Sequence, residues 1–146
     1  MIFIRKKIIN KIKLEAKKTF PEECCGFLSG IRNKEIYKID EFHPSENISQ
    51  TPELGFEINP ECQINLQKKL RLSNRKILGI YHSHPNGSVN LSAKDIYFFN
   101  DKGLLWFIVA LREKKHSKVL VYMRKDCVSK EFLNCEYHIE NEKFFK

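Results

Sequence analysis

No stretch of this chain approaches the roughly twenty consecutive apolar residues that span a bilayer, and Met1-Ile2-Phe3-Ile4 is too brief for the core of a signal peptide. The sequence therefore argues against a membrane or exported protein and for a cytoplasmic one. Cysteine occurs five times, an odd number, with a vicinal pair Cys24-Cys25 and no Cys-X-X-Cys spacing. That pattern argues against a secreted disulfide framework and predicts reduced, packed thiols. Acidic residues are too few to balance the basic ones, and the formal charge is +8. Yet RNP-like and helix-turn-helix signatures are missing, and the lysines are scattered from Lys6 to Lys146. The charge predicts a solvated basic surface rather than a nucleic-acid binder, and it also suits an acidic protein partner. A length of 146 residues suffices for one core and is too short for two ordinary domains, so residues 1–146 are expected to form a single domain.

What the sequence does contain is concentrated between Ile77 and Asp95. The apolar, β-favouring run Ile77 to Tyr81 predicts a buried strand closed by Pro85. His82 and His84 lie near its end, and side chains two apart on a strand leave the same face. Asn86, Gly87, Ser88 and Asn90 are turn residues, and Ser92 has the chemistry of a helix N-cap. Asp95 then falls at the third helical position, while Leu91 and Ile96 are spaced for a hydrophobic staple. Two readings share this helix. In one, Ser92 and Asp95 form a capping box. In the other, the Asp95 carboxylate is aimed across the loop at the two histidines, and two imidazoles with one carboxylate are a common catalytic zinc set that leaves a fourth position for water.

Elsewhere the pattern predicts a short edge strand at Ile2 to Ile4, then a helix with Ile8, Ile9, Ile12, Ala16 and Phe20 on one face, ended by Pro21. Cys25 to Arg32 and Glu35 to Phe42 read as a hairpin turning at Asn33-Lys34. Glu22 and Glu23 lie at its entrance, and patterning alone does not separate them. His43 to Gly55 has loop composition, with His43 an ordinary loop histidine. Asn59 and Pro60 open a second helix carrying Cys62, Leu66 and Leu70, which runs to about Ser73-Asn74. After the helix beginning at Ser92, Gly103 marks a break. Leu104 to Leu111 is a buried strand holding Trp106, Glu113 to Ser117 a polar turn, Lys118 to Arg124 its paired strand, and Glu131 to Ile139 a last strand. His116 and His138 have no ligand-like context. This order predicts an α/β (α+β) domain, a mixed, curved β-sheet flanked by helices.

His82-Ser83-His84-Pro85 followed by Ser92-Ala93-Lys94-Asp95 resembles the JAMM motif of the MPN-domain zinc metallopeptidases, His-X-His-Pro, a short loop and Ser-X-X-Asp. Pro21-Glu22-Glu23-Cys24-Cys25-Gly26-Phe27-Leu28-Ser29-Gly30 resembles the Pro-X-Glu-X-Cys-Gly-X-Leu-X-Gly segment of the prokaryotic, JAB-type branch. Asn59-Pro60-Glu61 and Gly79-Ile80-Tyr81 are also similar, and the likeness runs from about Lys13 to Arg124. Leu91 departs from it, since many relatives have proline there. The resemblance implies the MPN fold, a zinc ion held by His82, His84 and Asp95, Glu23 as general base, and Ser92 as donor to the oxyanion. It further implies hydrolysis of an amide or isopeptide bond after the C-terminal diglycine of a ubiquitin-like or sulfur-carrier protein. With the histidine pair given to a metal, a catalytic-cysteine role for Cys25 recedes. The alternative within the family is a non-catalytic MPN scaffold, a partner-binding module that has lost its ligands; here all four matched positions are intact.

Overall fold

Short apolar runs and alternating segments, with one long amphipathic stretch, give eight strands and three helices in the computed structural model, which describes residues 1–100, 103–112, 116–125 and 131–141. In chain order they are β1 (Ile2–Arg5), α1 (Lys6–Thr19), β2 (Cys25–Asn33), β3 (Ile36–Ser45), α2 (Pro60–Leu70), β4 (Lys76–His84), α3 (Ala93–Phe98), β5 (Leu105–Arg112), β6 (His116–Arg124), β7 (Phe132–Cys135) and β8 (His138–Glu140). Among the described residues, no helix is long and apolar enough to cross a membrane. Most of the expected turn at Glu113 to Ser117 lies outside the described residues, and β6 already includes His116 and Ser117.

The strands form one mixed sheet in the order β7-β6-β5-β4-β2-β3-β1-β8. Its two end strands are consecutive in sequence, with only Glu136 and Tyr137 between them. Three residue steps reach at most about 11 Å, whereas a flat sheet of this width would hold its edges about 34 Å apart. The sheet must therefore curl. Helix α1 occupies the hollow and packs against β1, β3, β4, β5, β6 and β8, burying Ile8, Ile9, Ile12 and Ala16 among Ile4, Leu28, Ile39, Tyr81 and Phe107. Each fully buried isoleucine is worth about 1.5–3 kcal/mol of transfer free energy. Helix α2 lies on the other face, where Leu66 and Leu70 meet Phe27.

Three expectations are corrected. The strand at Ile2 is not an edge strand: β1 lies between β3 and β8 and is parallel to both. The pairing with β8 joins residues far apart in the chain, which local patterning does not reveal. His43 is not a loop residue, because β3 continues to Ser45 and pairs His43 with Phe27. Pro44 is accommodated because β1 covers β3 only from Tyr37 to Ile39, so the far side of β3 at Pro44 is an edge. Finally, Glu131 to Ile139 supplies two strands, one at each end of the sheet.

Candidate metal centre

Strand β4 is in the middle of the sheet, antiparallel to β2 and parallel to β5. Its side chains alternate between the two layers, so Tyr81 enters the α1 hollow while His82 and His84 face the α2 side. A side chain on Gly26, opposite Tyr81, would meet the phenol ring at 2.6–2.7 Å. The bare backbone leaves room for Tyr81 to reach Glu15 at 2.6 Å. Beyond β4 the chain turns at Gly87, whose φ of 79° favours glycine, and Ser92 begins α3. The capping box expected from the sequence is present, with Ser92 Oγ accepting from the Asp95 N–H at 3.0 Å and Asp95 Oδ2 accepting from the Ser92 N–H at 2.9 Å.

That same Oδ2 lies 3.2 Å from His82 Nε2 and 3.0 Å from His84 Nε2, and the two nitrogens are 3.0 Å apart. The capping reading and the ligand reading are thus compatible in one carboxylate. His84 Nδ1 is 3.0 Å from the Ser88 carbonyl, to which it donates. In the neutral ring this leaves Nε2 with a lone pair facing a carboxylate oxygen and a second imidazole nitrogen. Such a convergence of lone pairs calls for a cation. Bonds of 2.0–2.1 Å from a tetrahedral zinc ion to its ligands put neighbouring ligand atoms about 3.3 Å apart, close to the spacings here, so the donor set fits zinc in chemistry and size.

Glu23 completes the group. One of its oxygens and a nitrogen of each histidine lie within 4.8 Å of one another. It is buried, while Glu22 is exposed, so the pair that patterning left equivalent is separated by the fold. Glu23 Oε1 has no hydrogen-bond partner among the described residues. Burial raises its pKa from 4.5 to about 7, and the Asp95 charge adds to this against His84 and Lys94. Burial lowers His82 despite its Asp95 bond. For His84 burial also acts downward but is outweighed by Asp95, the Ser88 carbonyl and Glu23, leaving it above its ordinary value. Burial would raise Asp95, but bonds to both histidines hold it well below the usual carboxylate range. Burial and the nearby Glu15 charge push the Cys25 thiol up to about 12, so Cys25 offers no thiolate at neutral pH.

Sequence reasoning missed four contributors to this site. Phe56 stacks on the His82 ring at 4.4 Å, while Trp106 meets its edge at 5.5 Å. Ser88 orients His84 through its carbonyl, a role any residue type can fill. Asn47 ties the Phe56 loop to Glu23, and the Asn47-Ile48-Ser49 turn signature was its only local trace. Beside Asp95 opens a cleft of about 640 Å³, lined by Phe27, Ile77, Ile80 and Trp106 on the sheet and by Phe56 and Phe98 at its sides.

Residues 5–124 match the family described as prokaryotic homologs of the JAB domain. The desampylase of Haloferax volcanii is 29% identical over 75 residues, 51% of this chain and 52% of that protein, so the match spans about half of that relative's length. The desampylase of Pyrococcus furiosus is 29% identical over 107 residues, covering 73% of this chain and 71% of that protein. A protein of Desulfitobacterium hafniense, solved in solution, aligns with a TM-score of 0.84 and 27% identity over 97% of this chain and 94% of its own.

Proposed function

Since the chain belongs to the family of prokaryotic homologs of the JAB domain, we propose that it is a zinc-dependent peptidase of JAMM type. Its bond is the amide or isopeptide link after the C-terminal diglycine of a ubiquitin-like or sulfur-carrier protein. The observation that carries this reading is the triangle of His82, His84 and Asp95, with 3.0–3.2 Å sides, beside the buried Glu23, one oxygen of which lies within 4.8 Å of a nitrogen of each histidine. Likeness to two proteins named desampylases is consistent with it.

His82, His84 and Asp95 would hold the zinc ion, which when bound polarises a carbonyl and lowers the pKa of water toward about 7. Glu23 is the general base. A buried carboxyl beside the ion takes a proton from water and returns it to the departing amine nitrogen. Burial keeps its basicity high. Ser92 Oγ accepts from the Asp95 N–H, which leaves its own proton free to donate to a developing oxyanion.

The substrate tail approaches extended. Strand β4 is paired on both sides as far as His82 and with β5 alone at His84, so in this reading the tail's main-chain partner is the loop beside the cleft. Glu57 gives its N–H to Asn47 and its C=O to the Ile48 N–H. Phe56, Glu57 and Ile58 all line the cleft, so the tail would pair with the main chain of this segment. Glycines nearest the site let the tail backbone come closest.

The test uses a small carrier protein ending in Gly-Gly fused to a short peptide, with cleavage located by mass spectrometry. Zinc-loaded protein is expected to cut after the second glycine. Glu23→Gln should keep the zinc and lose activity by on the order of a hundredfold or more, while Glu22→Gln is mild. The reverse ranking would overturn the assignment of the base. Absence of both zinc binding and cutting would favour the non-catalytic scaffold.

A further inference from the structure

Glu23 occupies a gap in the secondary structure. Helix α1 has ended at Thr19 and β2 has not begun; register pairing to β4 starts at Cys25, and the Cys24 N–H reaches Ser83 Oγ at 2.8 Å. Neither helix nor sheet holds the Glu23 main chain. Its N–H donates to the Pro52 carbonyl at 2.7 Å, and its carbonyl accepts from Asn47 Nδ2 at 2.9 Å. Both partners belong to the loop between β3 and α2. With Oε1 unpartnered among the described residues, the carboxyl's position depends on this main-chain anchorage.

The Asn47 amide is used to capacity. Nδ2 donates to Glu23 O and to Gly55 O at 3.0 Å, with the Pro52 carbonyl a looser neighbour at 3.5 Å. Oδ1 accepts from the Ser49 N–H at 3.1 Å and the Glu57 N–H at 3.0 Å. The network also fixes which way the amide points: exchanging O and N would set two N–H groups against an NH₂ and carbonyls against an oxygen. Glu57 lies between Phe56, which covers His82, and Ile58, which lines the cleft.

We propose that Asn47 is a positioning residue, through which one side chain sets both the general base and the cleft wall. It touches neither the metal ligands nor a substrate; it acts through the main chain of Glu23 and Glu57. The catalytic half of this inference rests on the peptidase reading, whereas the tie itself does not.

Two variants test it. Asn47→Leu keeps the branched shape and loses all the side-chain bonds. Asn47→Asp keeps the acceptor for Ser49 and Glu57 but sets a carboxylate against the Glu23 and Gly55 carbonyls. In both, amide hydrogen exchange at Glu23 should accelerate by roughly tenfold or more while that of β5 stays as in the wild type. In Asn47→Leu alone, the Ser49 and Glu57 amides should follow. Zinc affinity, measured by chelator competition, should change less than about threefold, because the candidate ligands stand on β4 and α3. On the diglycine fusion kcat should fall by roughly ten- to a hundredfold, the scale of a misplaced catalytic group. Wild-type exchange at Glu23 in Asn47→Asp would overturn the tie. A raised KM with kcat intact would leave Asn47 to the cleft wall and remove it from the base. If the wild-type protein cuts nothing, the peptidase reading fails, and the exchange measurements still decide the tie.

Discussion

Asp95 uses a single oxygen for two purposes. Its Oδ2 caps α3 by accepting from the Ser92 N–H and also faces both histidine nitrogens. Asparagine separates the two roles, since an amide oxygen still accepts from Ser92 but brings no charge to hold a cation. Asp95→Asn should purify with far less than one zinc per chain by elemental analysis. Its metal-free form should still unfold cooperatively but melt somewhat below the metal-free wild type, because a weakened cap costs about 1 kcal/mol and the carboxylate's bonds to His82 and His84 are altered as well. Full zinc occupancy would remove Asp95 from the ligand set. At this scale the sequence was most legible for His82, His84, Ser92 and Asp95, which lie within one short stretch where residue spacing dictates orientation. It was least legible for Phe56 and Asn47, whose roles depend on where a loop lands.

At the scale of elements, α1 is held in the curled sheet by its isoleucine face and by a polar tie, the Tyr81 hydroxyl donating to Glu15 Oε2. Burial raises the Glu15 pKa above its ordinary 4.5, and the Tyr81 bond only partly opposes it. A carboxyl that holds its proton more tightly folded than unfolded favours the fold at pH values below its unfolded pKa. That contribution is lost as pH rises through the elevated folded value. Glu15→Gln keeps an acceptor for Tyr81 and removes the charge. Its melting temperature should match the wild type near pH 4 and exceed it at neutral pH. An equal difference at both pH values would show that the Glu15 charge does not act on stability here.

For the whole molecule, closure of the curl depends on the chain after Lys125. Strand β7 covers β6, and β8 covers β1, where His138 stacks on Phe3 at 5.2 Å; Tyr137 between them donates to the Val119 carbonyl at 2.7 Å. A chain ending at Lys125 would expose two strand edges, an invitation to intermolecular pairing. It should melt at lower temperature and elute from size exclusion as larger species than the full chain. Zinc binding should survive, since β4 and α3 lie away from both edges. An unchanged elution volume and melting temperature would mean that the curl closes without β7 and β8.

The sequence by itself determined the amphipathic α1, the hairpin of β2 and β3, the capped start of α3 and the pairing of two histidines on one strand face, because each follows from spacing within about a dozen residues and the fixed periods of helix and strand. The two-residue turn shows the limit of that precision: it falls at Lys34-Glu35, one residue later than expected, with Lys34 at φ 54°. The choice of Glu23 over Glu22 came from the family resemblance and not from spacing, and the fold buries Glu23 beside the histidines; only the tertiary structure decided that β1 is an interior strand and that Asn47 and Phe56 belong to the site. Those outcomes arise from contacts between segments far apart in the chain, where a side chain's surroundings are set by how the sheet curls and the loops close over it, and no local periodicity encodes that.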